Sequence, residues 1–127
     1  MATPSPADRR YTESHEWHKL SGDMVAIGIT RHAVDELTDI TYAEMRPVGT
    51  KVEAGDPIGE VESVKATSEI YTAVAGEIVE INDKVQSDPA LLNTDPYSDG
   101  WLVRLKVADP STLDALMDHD TYDKRFP

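Results

Sequence analysis

The sequence contains no cysteine, a single phenylalanine and few basic residues. Without cysteine it has no disulfide framework and no thiol chemistry of its own. Its 12 lysines and arginines stand against 24 acidic residues, which gives a formal net charge of −12 at pH 7. Because there is no basic run, nucleic acid and anionic membranes are disfavoured as partners. No apolar run approaches the roughly 20 residues that a membrane-spanning helix needs.

With 127 residues, the chain has the length of one domain with a modest core. Its first ten residues include Pro4 and Pro6 and lack an apolar run. They match neither a signal peptide nor a long basic transit peptide. We therefore expect a disordered segment over residues 1–10, a single domain over residues 11–127 and a cytoplasmic protein, with a mature matrix protein as the alternative. The acidic charge favours a soluble monomer.

Short runs rich in β-branched residues, separated by turn signals, dominate the chain as far as Val107. They predict strands over residues 16–20, 24–29, 39–45, 77–81 and 101–107. The sequence Ser21-Gly22-Asp23 indicates a hairpin between the first two strands. In the last strand one apolar face is predicted, formed by Trp101, Val103, Leu105 and Val107.

Short helical segments are predicted between and after the strands. Thr30 is a suitable N-cap for a helix over residues 31–37, and residues 87–92 are typical of a capped helical turn. A C-terminal helix opens at residues 110–114, with an apolar side that would pack onto the sheets. Many short strands with frequent turns indicate a sandwich or a barrel, so we expect an all-β fold with short helices.

One lysine stands between two strand-like arms, over residues 58–63 and 68–74. Gly55-Asp56-Pro57 and Ala75-Gly76 mark the outer ends of this pair. At such a bend Lys65 projects into solvent, away from any apolar face that could cover its stem. An enzyme could reach it from all sides, so the position suits a lysine that carries a long prosthetic arm.

The residues around this lysine, Glu62-Ser63-Val64-Lys65-Ala66, resemble the lipoylation site of the H proteins of the glycine cleavage system. Three further segments resemble that family in the same order. They are residues 11–17 (its N-terminal signature), 27–33 (its first strand-to-helix passage) and 93–102 (its last strand). A lone five-residue motif matches by chance, whereas four ordered matches over most of the chain are specific.

The resemblance implies a barrel-sandwich hybrid of two small antiparallel sheets, with the lysine hairpin at one end and a helix at the C terminus. It implies that Lys65 is an N6-lipoyllysine, amide-linked to lipoic acid, in a carrier without catalytic residues of its own. Such a carrier takes the aminomethyl group of glycine from glycine decarboxylase (pyridoxal phosphate) to the aminomethyltransferase (tetrahydrofolate). Dihydrolipoamide dehydrogenase (FAD) reoxidises the arm, and lipoylating enzymes attach it.

The same resemblance places Ser14, Glu16 and Glu69 around the amine of the loaded arm. Asp is the more usual residue at the position of Glu69, and Thr38 replaces a common glycine. The alternative for Glu16 is a surface strand carboxylate, and the alternative for Glu69 is a solvated flank of the hairpin. Glu62, three residues before the lysine, is predicted to help a lipoylating enzyme register on it.

Two imidazoles and a carboxylate crowd into His15-Glu16-Trp17-His18, which is not a His-Glu-x-x-His metal motif. Residues three apart in a strand point to opposite faces, so we expect no metal site. The chain also has no glycine-rich phosphate loop and no Gly-x-Ser-x-Gly elbow, which disfavours phosphoryl-transfer and serine-hydrolase chemistry.

Four alternatives use the same lysine hairpin or the same acidic surface. A biotin carrier has methionine on each side of its lysine, where this chain has Val64 and Ala66. A lipoyl domain of a 2-oxo acid dehydrogenase has an acidic residue directly before the lysine and sits in a longer chain. A lipoate-relay carrier, which supplies lipoyl groups to other enzymes, is barely separated by sequence from the glycine cleavage carrier. The last alternative is an unmodified acidic scaffold domain.

Overall fold

Two antiparallel sheets form the framework of the computed structural model, which describes residues 5–126. In chain order the elements are β1 Arg10–Tyr11, β2 Glu16–Ser21, β3 Met24–Ile29, α1 Arg31–Leu37, β4 Ile40–Met45, β5 Lys51–Val52, β6 Pro57–Ser63, β7 Thr67–Tyr71, β8 Gly76–Ile81, α2 Asp83–Ser87, α3 Leu91–Thr94, β9 Val103–Lys106, a 3-10 helix Pro110–Ala115 and α4 His119–Arg125. The larger sheet has the order β1-β2-β3-β9-β8-β5, and the smaller one β4-β6-β7. Within the described residues, no helix has the length and apolar character needed to cross a membrane.

The core consists mainly of β-branched and leucine side chains from both sheets. Ile27, Ile58, Ile78 and Leu105 have no exposed surface, and each such side chain contributes about 1.5–3 kcal/mol through burial. A second, aromatic cluster is formed by Tyr11, Trp17 and Tyr122, with partly buried neighbours at its edge. The expected all-β fold of two small antiparallel sheets is therefore confirmed.

The predicted strands and the first helix agree with the structure to within a few residues. The hairpin of β2 and β3 turns at the predicted Ser21-Gly22-Asp23, where Gly22 takes a positive φ of 64°. Helix α1 is capped as expected, because Thr30 Oγ1 accepts a hydrogen bond from the Ala33 N–H at 3.2 Å.

The helical turn predicted over residues 87–92 forms, but it is part of a longer helical region. The Leu91 N–H donates to the Asp88 oxygen and the Leu92 N–H to the Pro89 oxygen, both at 3.1 Å, and the turn continues into α3. Helix α2, which ends at Ser87, was not predicted. Asn82 starts α2 because its Oδ1 accepts a hydrogen bond from the Lys84 N–H, at 3.2 Å. The Asn82 amide also donates to the backbone oxygens of Asp99 and Trp101, both at 2.7 Å, so distant contacts fix this cap.

The C-terminal helix exists, but it begins later than predicted. The predicted segment forms only a 3-10 helix, which ends at Ala115 and is followed by Leu116, a residue with extended backbone. Helix α4 then starts behind Asp118, whose carboxylate accepts a hydrogen bond from the Thr121 N–H at 2.8 Å. It buries Tyr122 in the aromatic cluster.

The apolar face predicted for the last strand is wrong at Trp101. This residue precedes β9, and the Arg104 guanidinium lies 3.8 Å from its ring centroid, a cation–π contact on the outer side. The other three members of the predicted face are buried. Trp101 is therefore only partly buried, between the Arg104 guanidinium and the edge of the aromatic cluster.

The segment predicted to be disordered, residues 1–10, makes specific contacts in its described part. Its first four residues lie outside the described residues. Ser5 donates hydrogen bonds from its N–H and hydroxyl to the Asp123 carboxylate, at 3.0 and 2.6 Å. The Arg9 guanidinium lies 4.5 Å from the ring centroid of Trp17. From Ser5 onward the structure thus differs from the expectation, because the polar side chains find partners on α4 and β2; the domain limits stay a prediction.

Candidate functional site

The hairpin of β6 and β7 presents Lys65 at its tip. The two strands are paired as far as Glu62 and Thr67, and the residues between them make the turn. Val64, Lys65 and Ala66 are all exposed, and Val64 keeps 68% of its surface accessible. An exposed valine beside an exposed lysine is a surface that another protein can recognise.

The hydroxyl of Ser63 fixes the backbone of this tip. It accepts hydrogen bonds from the N–H groups of Lys65 at 3.3 Å and Ala66 at 3.1 Å. The Ser63 N–H in turn donates to the Ala66 oxygen at 2.8 Å, and the Val64 N–H donates to the Asp39 oxygen at 3.1 Å. The turn is therefore held in place while the lysine side chain is left free.

The ammonium group of Lys65 has no salt bridge or side-chain hydrogen bond to any residue between 5 and 126. No neighbouring carboxylate has to be displaced when an acyl group is attached to it. Its lack of partners within the described chain distinguishes it from Lys19, whose Nζ lies 3.3 Å from the Asp8 carboxylate.

Glu62 lies at the end of β6, next to the tip. Its side chain is exposed, and its backbone oxygen accepts a weak hydrogen bond from Thr41 Oγ1 at 3.4 Å. The position allows the carboxylate to contact an enzyme that approaches the tip.

Glu16 is buried, in contrast to the surface carboxylate that its strand pattern suggested. Only 1% of its surface is exposed. Its Oε1 accepts hydrogen bonds from Thr12 Oγ1 at 2.6 Å and from the Ser14 hydroxyl, and its Oε2 accepts one from the Tyr71 N–H at 3.2 Å. Burial raises the pKa of Glu16, and these hydrogen bonds to its carboxylate oppose the rise.

A cavity lies next to this carboxylate. Its walls come from the loop before β2, the turn before β6 and the end of β7, and the lining residues are Thr12, Ser14, Glu16, Ala54, Gly55, Tyr71, Thr72 and Ala73. A carboxylate has about four acceptor positions, of which three are used here. The cavity can therefore accept one further donor, and a cationic donor would gain most.

The structure does not bring Glu69 into this cavity. Glu69 is exposed and lines a separate cleft together with Glu44, Glu60 and residues of the segment after β4. It shares the outer face of β7 with Tyr71, two residues and about 7 Å along the strand. Ser14 and Glu16 are thus brought together, while Glu69 stands beside them along β7.

Sequence analysis missed the residues that surround these carboxylates. Glu44, Glu60 and Glu69 lie opposite one another across the three strands of the small sheet. Carboxylates directly opposite one another repel, so this row costs stability and favours a cationic partner. The signal available in the sequence was the alternation of Glu60 and Glu62 in β6.

His18 of β2 lies in the interior of the fold. It is fully buried, and its Nε2 accepts a hydrogen bond from the Ala73 N–H, at 3.0 Å, next to the cavity. Burial lowers the pKa of His18 to about 3, so that the imidazole is neutral at pH 7.

The chain is similar to a family of known proteins over nearly its whole length. The sequence profile described as glycine cleavage H-protein matches residues 9–126. The glycine cleavage system H protein of Thermus thermophilus is 50% identical over 117 residues, which cover 92% of this chain and 91% of that protein. The H protein of Myxococcus xanthus is 42% identical over 122 residues, which cover 96% and 95%.

A solved structure shows the same fold. The crystal structure of a glycine cleavage system H protein from Mycobacterium marinum superposes with a TM-score of 0.87 at 37% sequence identity, covering 95% of this chain and 98% of that one. Since the family profile, the relatives and the solved structure all span nearly the whole chain, the protein belongs to the glycine cleavage H-protein family.

Proposed function

We propose that Lys65 carries the lipoyl group of this protein, which as a member of the H-protein family is a non-catalytic lipoyl carrier of the glycine cleavage system. The observation that carries this assignment is the exposed, partnerless lysine at the tip of a rigid hairpin. The lipoyl group, when attached, supplies the dithiolane that takes up and releases the aminomethyl group of glycine.

Two other lysines, Lys51 and Lys84, suit this role less well. Lys51 lies in β5, paired with β8, and Lys84 lies in the first turn of α2. Neither stands at the end of a hairpin where an enzyme can surround it. The lysine at the tip has the freest approach, and its stem rests on no apolar face.

The shape of the tip favours modification by a protein enzyme. Ser63 holds the turn in one backbone conformation, so a lipoylating enzyme binds it without first ordering it. Val64 offers an apolar contact and Glu62 a charged one on either side of the reacting amine. Acylation then removes the positive charge of the lysine and leaves a long flexible arm.

The cavity next to Glu16 is proposed to hold the amine of the loaded arm. That amine is cationic at neutral pH, and a charge-assisted hydrogen bond to a buried carboxylate is stronger than one between neutral groups. A cation in the cavity also offsets the desolvation that raises the pKa of Glu16. Ser14, with its exposed hydroxyl, stands at the entrance.

Glu69 is proposed to bind the amine of the loaded arm more weakly than Glu16 does. Its carboxylate lies on the outer face of β7, along the path of the arm. It belongs to the acidic row across the small sheet, which attracts a cation without enclosing it. A longer side chain than the usual aspartate allows it to reach towards the cavity.

The partners proposed for the arm are the other enzymes of the system: glycine decarboxylase with pyridoxal phosphate, the aminomethyltransferase with tetrahydrofolate, dihydrolipoamide dehydrogenase with FAD, and the lipoylating enzymes. The net charge of −12 supports docking through basic patches on these enzymes. Nothing in the described residues favours lipoate relay over this role. That the protein is a monomer and lies in the cytoplasm stays a prediction.

The intact mass of the protein purified from its native host tests the kind of modification. We expect the mass of one lipoyl group above that of the chain. A biotinyl addition, or an unmodified chain in cells grown on glycine, would contradict the proposal.

A further inference from the structure

A cluster of two imidazoles and a carboxylate lies on the side of α1, formed by His15, His32 and Glu36. One ligand-type atom from each residue can be chosen so that all three lie within 4.8 Å of one another. His32 and Glu36 stand one turn apart on α1, and His15 belongs to the loop before β2. Spacing in the chain does not indicate this cluster, because His15 and the two α1 residues come from separate segments.

The backbone of His15 explains why its ring reaches α1. His15 has a positive φ of 71°, which is uncommon for a residue other than glycine. Its N–H donates to the Thr12 oxygen at 3.1 Å, and its own oxygen accepts from the Thr30 N–H at 3.0 Å. The ring is thereby directed away from Glu16, whose carboxylate points towards Tyr71.

The two imidazoles are close enough to share a ligand. The ring centroids of His15 and His32 are 4.3 Å apart, and His32 Nε2 lies 3.8 Å from Glu36 Oε1. His32 Nδ1 is buried without a hydrogen-bond partner among the described residues. In a tetrahedral zinc site, bonds of about 2.0–2.1 Å put ligand atoms about 3.4 Å apart, so small side-chain rotations suffice.

A tyrosine positions the His15 ring in the way that metal-binding histidines require. His15 Nδ1 lies 2.8 Å from Tyr122 Oη, which itself lies 2.7 Å from Thr30 Oγ1. When Nδ1–H donates to the tyrosine oxygen, Nε2 presents a free lone pair to α1. Burial, and secondly the neighbouring His32, lower the pKa of His15, which keeps the ring neutral.

The surroundings of the cluster are partly apolar. Phe126 packs edge-on against His15, with ring centroids 4.7 Å apart, and lies 5.6 Å from His32. Glu36 is exposed and can turn towards the rings. Two imidazole nitrogens with one carboxylate suit zinc and similar transition metals, whereas calcium and magnesium prefer all-oxygen sites.

We propose that His15, His32 and Glu36 bind one divalent transition-metal ion, with Zn²⁺ as the probe, at a site separate from the lysine hairpin. The ion would link helix α1 to the loop that carries Ser14, directly before Glu16. Binding would therefore stabilise the folded protein and stiffen the loop at the cavity entrance, whether or not the lysine is modified.

Titration calorimetry of the unlipoylated full chain without an affinity tag, using zinc sulfate, tests the site. We expect saturation at one Zn²⁺ per chain and a rise of the thermal midpoint with excess zinc. His32→Gln and Glu36→Gln should each weaken binding by at least about tenfold, since losing even a hydrogen-bond partner of a ligand costs about 10–100-fold. His119→Gln, a histidine outside the cluster, should leave the affinity unchanged.

Glu36→Gln changes an exposed side chain, so its result does not depend on the folding of a core variant. Cobalt provides a second readout, because Co²⁺ held by two imidazoles should show visible absorption bands that His32→Gln abolishes. The proposal is overturned if no saturable one-to-one binding occurs. It is equally overturned if both cluster variants bind zinc like the parent, because the metal would then sit on the acidic surface.

Discussion

Thr38 adopts a backbone conformation that a β-branched residue rarely takes. Its φ of 65° and ψ of −139° follow directly on helix α1. The Thr38 N–H donates to the Val34 oxygen at 2.9 Å, and its own oxygen accepts from Asn93 Nδ2 at 2.8 Å. These two backbone bonds impose the conformation, and the side chain contributes strain to it.

We expect Thr38→Gly to stabilise the protein by about 1 kcal/mol. Relief of the strained conformation stabilises the folded state by about 1–3 kcal/mol. The extra backbone entropy of glycine in the unfolded chain destabilises it by about 0.5–1 kcal/mol. Urea unfolding followed by circular dichroism measures the difference. Thr41→Gly, an exposed change in β4, should destabilise instead; a lower midpoint for Thr38→Gly would show that no strain is stored there.

Glu16 is predicted to protect the loaded arm from losing its amine. Glu16→Gln keeps the shape and removes the charge, so ammonia release from purified loaded protein should become about 10- to 100-fold faster, which corresponds to about 1.5–3 kcal/mol of a charged hydrogen bond. Glu69→Gln should show a smaller effect. The first-order rate is measured at low and moderate salt without the aminomethyltransferase.

Glu13→Gln is the matched control, because Glu13 pairs with Arg125 at 2.7 Å outside the cavity. Ammonia release should also accelerate as the pH falls. Because the pKa of Glu16 is raised, its carboxylate becomes protonated at a higher pH than that of an ordinary glutamate. If Glu16→Gln and Glu69→Gln both release ammonia at the wild-type rate at both salt concentrations, these carboxylates do not hold the amine of the loaded arm.

At the scale of elements, strand β6 places Glu62 on the same side as Glu60, two residues further from the tip. Glu62→Gln is expected to slow lipoylation several-fold while the free energy of unfolding changes by only about 0.5 kcal/mol, as for other exposed positions. The rate is followed by mass spectrometry with purified lipoylating enzyme. Glu60→Gln should react at the wild-type rate, and identical rates for all three proteins would exclude recognition through Glu62.

The elements that the sequence predicted well are those with local signals. The hairpin turn at Gly22, the cap of α1 at Thr30 and the bend at Lys65 depend on nearby residues, and each was placed within a few positions. Helix α2 was missed because its five residues are too few to show a helical period. Helix α4 was misplaced because two capped starts follow one another, Asp109 with Pro110 before the 3-10 helix and Asp118 before α4.

The site could be predicted only in part for a similar reason. In β2, Glu16, Trp17 and His18 are buried in succession, which breaks the alternation that separates an inner from an outer face. The first half of β2 is covered on both sides, by the end of β7 and by the aromatic cluster. Burial of both faces leaves no alternation of apolar and polar residues in the sequence, so Glu16 could not be assigned to the interior from the sequence.

For the whole molecule, acid stability depends strongly on His18. Its pKa is lowered to about 3 in the folded protein, against 6.5 for an ordinary histidine. As the pH falls below 6.5 the unfolded chain binds a proton that the folded one does not, so the free energy of unfolding falls by up to about 1.4 kcal/mol per pH unit until about pH 3. Glu16 acts in the opposite direction, because its raised pKa makes the folded state bind protons more readily as the pH falls.

We therefore expect His18→Gln to flatten the dependence of stability on pH between 6.5 and 4, even if its stability at pH 7 is lower. Urea unfolding at four pH values gives the slope. His119→Gln, at a partly exposed residue in α4, should keep the wild-type slope. An unchanged slope in His18→Gln would mean that water reaches this imidazole in the folded protein.

The most direct test of the account is peptide mapping after lipoylation in vitro of wild-type protein and of Lys65→Arg, Lys51→Arg and Lys84→Arg. Arginine keeps the positive charge of each lysine but cannot accept the acyl group. We predict one lipoyl group, on Lys65 alone, in the wild type and in the two control variants, and none in Lys65→Arg. Lipoyl groups found on Lys51 or Lys84, or any modification that persists in Lys65→Arg, would contradict the assignment of the carrier lysine.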